Sequence, residues 1–152
     1  MKSPLNLKQR IIEVLEKGYL LSIGTVDDGG PWVSDVRYVS DDDCKIYWMS
    51  DPKCRHSKAI EKNPKIAATI EINFNFGTPN LGLQISGNAR KLGLMRPDLA
   101  IKYVTRRGKP KPSQASAILN GGYHWYELSP EFIELNDEEN FGFDNKQKMA
   151  VS

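Results

Sequence analysis

Residues 46–64 constrain the fold more than any other stretch of the chain. A β-rich run carrying Tyr47 and Trp48 feeds without a spacer into a helix-forming run that Asn63-Pro64 closes, since proline cannot continue a helix. Lys53, Arg55 and His56 crowd this junction, with Ser50 and Ser57 beside them. A helix N-terminus offers unpaired N–H groups and the positive end of a dipole, so cations are disfavoured there unless an anion accompanies them. The segment therefore reads as a phosphate site, with a solvated basic first turn as the alternative.

Apolar residues Leu5, Leu7, Ile11, Ile12, Val14 and Leu15 recur at helical spacing, with Ser3-Pro4 as a start and Gly18 as a stop, which predicts an N-terminal helix within residues 1–18. The pattern then switches to β. Residues 19–26 and 31–40 flank the hairpin turn Asp27-Asp28-Gly29-Gly30, and Asp41-Asp42-Asp43 leads into a third strand at 45–50. A helix over about 55–63, strands at 65–74 and 81–92, a helix starting at Arg96-Pro97-Asp98 and running to about Thr105, and strands at 123–129 and 132–135 follow. Residues 106–112 read as a basic, proline-rich connector, 115–119 as a short helix, and 137–152 as a C-terminal tail.

Short antiparallel strands in that number favour closure, because a barrel removes exposed sheet edges. The expected fold is mainly β (α+β): an antiparallel six- to seven-stranded split β-barrel with flanking helices, in one domain spanning 1–152. The chain's 152 residues can bury a real core, and a net charge of +2 gives no global pull toward nucleic acid or anionic membrane. No hydrophobic run follows Met1-Lys2, so no membrane span or leader is expected and the cytoplasm is the expected compartment. Cys44 and Cys54 give no disulfide framework, and with His56 and His124 they fall short of the tightly spaced ligands of a structural zinc site, so no metal is expected.

The aromatic strand and the cationic turn together suit a ring system bearing a phosphate tail, and FMN is such a ligand. Three segments, residues 30–39, 47–64 and 83–89, carry a wider likeness. Across about 19–135 the chain resembles the FMN-binding split barrels related to pyridoxamine 5′-phosphate oxidase. The resemblance implies that Val36 and Arg37 lie along the isoalloxazine, that Trp48, Met49 and Ser50 contact ring and ribityl chain, and that Lys53, Arg55 and His56 hold the phosphate. It also implies a homodimer with the cofactor at the subunit interface, reached by Gln84, Trp125 and the Asn140-Phe141-Gly142 segment. For Trp125 and Tyr126 the competing reading is core, and for Arg37 it is a salt bridge on the barrel surface.

The vitamin B6 oxidase itself uses a C-terminal arginine and histidine for its substrate's phosphate. This chain has no arginine after Arg107, and arginine's fork is hard to replace there. The resemblance thus points to a small general-stress-type or uncharacterised bacterial relative, an FMN-dependent oxidoreductase using a nicotinamide or similar donor. No catalytic side chain is required, because the flavin carries the redox chemistry. The alternative is a non-catalytic module that senses or binds flavin, deazaflavin or haem. A nucleic-acid reading through Arg106, Arg107, Lys109 and Lys111 fails on charge distribution, because the basic run is local and interleaved with prolines.

Overall fold

A computed structural model describes residues 5–93, 95–107 and 122–151; the helix expected at 115–119, the start at Ser3-Pro4 and most of the basic connector lie outside them. The elements are α1 (Leu7–Lys17), β1 (Leu20–Asp27), β2 (Gly30–Ser40), β3 (Ile46–Ser50), α2 (Arg55–Lys62), β4 (Lys65–Glu71), β5 (Leu81–Lys91), α3 (Pro97–Arg107), β6 (His124–Asp137), α4 (Glu138–Phe141) and β7 (Gln147–Ala150).

The sheet runs β3-β2-β1-β4-β5-β6-β7, every resolved pair antiparallel, and β3 also pairs with β6. That last pairing closes six strands into a ring and leaves β7 as an outrigger on β6. The β1–β2 hairpin turns on Asp28-Gly29, with Asp27 opposite Gly30 and Gly30 at φ 99°, a conformation glycine adopts without steric cost. Period-two alternation sends Leu21, Ile23, Ile66, Ala68, Ile70, Leu83 and Ile85 inward, where each large aliphatic contributes roughly 1.5–3 kcal/mol of burial.

Helix α1 starts where the Asn6 Oδ1 accepts the Gln9 N–H at 3.0 Å, and it adds the fully buried Ile11, Val14 and Leu15 to the same core. Two polar contacts fix its position. The buried Tyr38 hydroxyl donates to the Leu15 carbonyl at 2.7 Å, and Arg10 Nε donates to Asp137 Oδ2 at 2.7 Å. Burial opposes ionisation of Asp137, but hydrogen bonds from Asn140 and Arg10 outweigh it and hold its carboxyl below the usual range.

Three sequence expectations are corrected. The strands expected at 123–129 and 132–135 are one strand, β6, which carries a bulge: Gly87 faces Pro130 and Ser86 faces Phe132, so Glu131 has no partner in the ladder. Pro130 has no N–H to donate and is tolerated where the ladder is already irregular. The C-terminal tail contains α4 and β7, with β7 held by the pairs Phe132↔Ala150 through Leu135↔Gln147. Arg106 and Arg107 belong to α3 rather than to a connector. Arg106 donates to the Glu16 carbonyl, which favours a cation because it is at the C-terminal end of α1.

The bulge makes a direct prediction. A Cβ on Gly87 would collide with the Ser129 carbonyl, whereas one on Gly93 meets nothing. Gly87→Ala should lower stability by about 1–3 kcal/mol and Gly93→Ala should leave it nearly unchanged, as read from urea denaturation midpoints.

Candidate functional site

Where β3 ends, the chain makes a short turn stabilised by Asp51, whose Oδ1 accepts the Lys53 N–H at 2.9 Å and whose carbonyl accepts the Cys54 N–H at 3.1 Å. Helix α2 then begins with Cys54 as N-cap. The cap makes no side-chain bond to the helix N–H groups, and the first turn holds no acidic residue. Its leading N–H donors and dipole are therefore uncompensated within the helix.

This helix start borders a cavity of about 460 Å³. Asp35, Val36 and Arg37 of β2 form one wall, and Met49 and Ser50 of β3 with Asp51, Cys54 and His56 form the next. Leu20, Tyr103 of α3 and Tyr123 complete it. The volume is that of a small-molecule or cofactor pocket. Val36 and Ser50 are buried, Met49 and His56 half-buried, and Arg37 exposed. Among the described residues Arg37 makes no ion pair within salt-bridge distance, and it lines the cavity together with Asp35 and Asp51.

The polar end is a connected group. Ser50 Oγ lies 2.9 Å from His56 Nε2, and the Cys54 thiol lies 3.3 Å from the same nitrogen and 3.0 Å from Ser57 Oγ. Burial lowers the His56 pKa, so its imidazole is neutral at neutral pH and binds through hydrogen bonds rather than charge.

The structure brings together Val36, Arg37, Met49, Ser50 and His56, and separates the other three residues expected at the site. Trp48 is fully buried, its ring stacked on Tyr126 at 5.9 Å and 12°, because alternate residues of a strand point to opposite faces. Lys53 and Arg55 line a different cavity of about 840 Å³ between the β1–β2 turn and α2. Successive helical residues point about 100° apart, so Arg55 and His56 diverge. Arg55 is taken by Asp27, with Nε to Oδ2 at 2.9 Å and Nη2 to Oδ1 at 3.1 Å, and its guanidinium stacks on Trp32 at 4.2 Å. The Arg55 hydrogen bond holds the Asp27 carboxyl below its usual range.

Sequence reasoning missed Leu20, Asp35, Asp51, Cys54, Tyr103 and Tyr123. Asp35 was findable, since it shares the outward face of β2 with Arg37. Tyr103 and Tyr123 come from distant parts of the chain and carry no local signal. Trp125 is buried in a second apolar cluster with Val39, Tyr47 and Leu99, the core placement of its two readings, while Gln84 is exposed.

The buried imidazole sets a pH dependence. Its folded-state pKa lies below the ordinary 6.5, so the unfolded chain binds the extra proton first, and stability present above about pH 6.5 is lost as pH falls toward the depressed value. The shifted carboxyls of Asp27, Asp98, Glu127 and Asp137 all move downward, so they respond in a more acidic window. His56→Asn should therefore flatten the fall in Tm between pH 7.5 and 5.5, measured by thermal denaturation beside the parent protein.

Among known proteins, the family model described as pyridoxamine 5′-phosphate oxidase matches residues 7–134. A UPF0306 protein of Pasteurella multocida is 23% identical over 87 residues, which is 57% of this chain and 58% of that protein's length. The solved General Stress Protein 26 of Bacillus anthracis superposes with a TM-score of 0.73 at 14% identity, covering 97% of this chain and 100% of that one. HutZ, the haem storage protein of Vibrio cholerae, superposes with a TM-score of 0.65 at 18% identity, covering 84% and 92%. These structural likenesses are of fold, and the family match takes in α1, the closed ring and the whole β2–β3–α2 site: the chain belongs to the pyridoxamine 5′-phosphate oxidase family.

Proposed function

We propose that the chain is an FMN-binding flavoprotein acting as an oxidoreductase on a small molecule, with a nicotinamide or similar electron donor. The observation that carries this reading is the 460 Å³ cavity, in which Leu20, Val36 and Met49 give apolar surface between the charged Asp35 and Arg37 of β2 and the polar α2 N-terminus. When bound, FMN supplies hydride and electron transfer, leaving orientation, electrostatics and solvent control to the protein. Leu20, Val36 and Met49 offer apolar contact to a ring, and Tyr103 and Tyr123 offer aromatic surface. The Arg37 guanidinium on the cavity wall favours negative charge at a ring edge. Trp48 supports β3 from behind.

The phosphate falls to Ser50, His56 and the first-turn N–H groups of α2. Lys53 and Arg55 belong to this assignment as second contributors: Arg55 joins only by giving up Asp27. Exposed Phe74, Phe76, Trp32 and Val33, at 67%, 108%, 44% and 69% of full exposure, support a homodimer that covers apolar surface and shares the cofactor. The activity we assign is not that of the B6 oxidase, because no arginine follows Arg107.

Haem is the second reading. Met49, Cys54 and His56 are all iron-ligand types on one cavity, and HutZ is a haem storage protein. Against it, the His56 Nε2 is already engaged by Ser50.

Titrating the purified full chain distinguishes these readings. FMN should bind at least about tenfold more tightly than riboflavin, the equivalent of one charge-assisted hydrogen bond of roughly 1.5–3 kcal/mol. The loaded protein should sediment at twice the 17.2 kDa chain mass. Equal affinity for the two flavins would remove the phosphate assignment, and a sharp Soret band on adding haemin, with no flavin uptake, would favour the haem reading.

A further inference from the structure

Helix α3 docks with the inverse of the usual amphipathic pattern. Leu99, Lys102, Tyr103 and Arg106 recur at the i, i+3, i+4, i+7 spacing of one helical face, and this is the face that meets the rest of the chain. Leu99 packs with Val39, Tyr47 and Trp125, and the Tyr103 ring meets Trp125 edge-on at 6.2 Å. Ile101 and Val104, the residues such a helix would ordinarily bury, are exposed. Leu99 is the one buried residue of 97–106, and half of the docking face is cationic.

The two cations converge on the C-terminal end of α1. Lys102 Nζ donates to the Ser40 carbonyl and, at 3.3 Å, to Glu16 Oε1. Arg106 Nη2 donates to the carbonyls of Glu16 and Gly18, the second at 3.4 Å, and Nη1 lies 3.5 Å from Glu16 Oε2. That Nη1 is buried and has no hydrogen-bond partner among the described residues, so the seat does not fully offset the loss of guanidinium hydration. The α1 side is fixed, because Leu15 is in the core and its carbonyl accepts the Tyr38 hydroxyl. Glu16 and Lys102 are partly exposed, so salt reaches the pair. Tyr103, next in the chain after Lys102, lines the 460 Å³ cavity.

We propose that Glu16 is a latch: through Lys102 and Arg106 it holds α3 closed with Tyr103 against the cavity, and its release lets that wall move and molecules enter or leave. Glu16 does not itself line the cavity, so its role is positioning. A helix seated by partly exposed charge and one buried leucine opens locally at low cost. The facing walls do not share this weakness, since Val36, Met49 and Ser50 are paired with Leu21, Trp125 and His124 in the sheet. Only the identity of the occupant, FMN, rests on the flavin reading.

The test compares the full-length parent with Glu16→Gln and with Glu13→Gln, which removes the same charge from α1 at a residue that pairs with Arg10 instead of α3. In the cofactor-free protein, hydrogen–deuterium exchange at 99–106 and N-ethylmaleimide labelling of Cys54, a cavity residue, should each be about fivefold faster in Glu16→Gln, the scale of two partly exposed ion pairs. Both should be unchanged in Glu13→Gln, and exchange at 46–50 should be unchanged in either variant. Raising salt from about 50 to about 500 mM should speed exchange at 99–106 in the parent and leave Glu16→Gln where it is, a response that general destabilisation would not give. FMN release from the loaded protein should quicken in the same variant. Should Glu16→Gln fail to fold, the salt response of 99–106 against that of 46–50 in the parent decides. Exchange at 99–106 indifferent to Glu16→Gln or to salt would overturn the latch, and faster exchange with unchanged Cys54 labelling would overturn its control of the cavity. A parent protein that takes up no FMN would fail the flavin reading alone, because exchange and labelling read the latch without a ligand.

Discussion

Backbone pairing between β3 and β6, from Ile46↔Leu128 to Ser50↔His124, turns an open sheet into a ring, and the site is built on the strand so fixed. Without it β3 would be an edge strand and Ser50 would have no fixed position from which to meet His56. Strand β6 can do this because it is long. Residues 126–128 pair with β3 on one side and β5 on the other, and after the bulge residues 132–135 pair with β5 and β7. Trp48 stacked on Tyr126 locks the same seam from inside the core.

Closure also decides how charge is distributed around α2. Ending β3 at Ser50 starts the helix beside β1, and Asp27 at the end of β1 takes the Arg55 guanidinium in a two-point contact. His56, one position on, turns toward the cavity, where burial keeps it neutral. One cationic turn thus becomes two environments: an ion-paired surface with Trp32, and a hydrogen-bonding pocket that sets the helix N-terminus and Arg37 beside Asp35 and Asp51.

Much of this was legible in the sequence where the determining interaction is local. The Asp28-Gly29 turn, the Gly18 stop of α1 and the Asn63-Pro64 end of α2 all lie where the residue types placed them, because backbone conformation is set within a few residues. The outcome was hidden where a distant partner decides. Pro130 reads as a break until Gly87 is seen opposite it; β7 needs the edge of β6 to become a strand; and Arg106 joins a helix because Glu16 is there to receive it. The site divides the same way. Strand and helix placed Val36, Arg37, Met49, Ser50 and His56 around one cavity. The turning of Trp48 into the core and the capture of Arg55 by Asp27 depend on facing elements no spacing rule contains.

Closure of the ring by β3 and β6 shapes the cavity at the α2 N-terminus that we propose for FMN, and hydrogen–deuterium exchange with and without FMN reads both the seam and the cavity. Residues 46–50 and 124–128 should show core-level protection in the free protein, with FMN adding protection at 35–37, 49–57 and around Tyr103. Rapid exchange of the β3–β6 seam, or FMN protection confined to the cavity lined by 26–29 and 58–63, would contradict this arrangement.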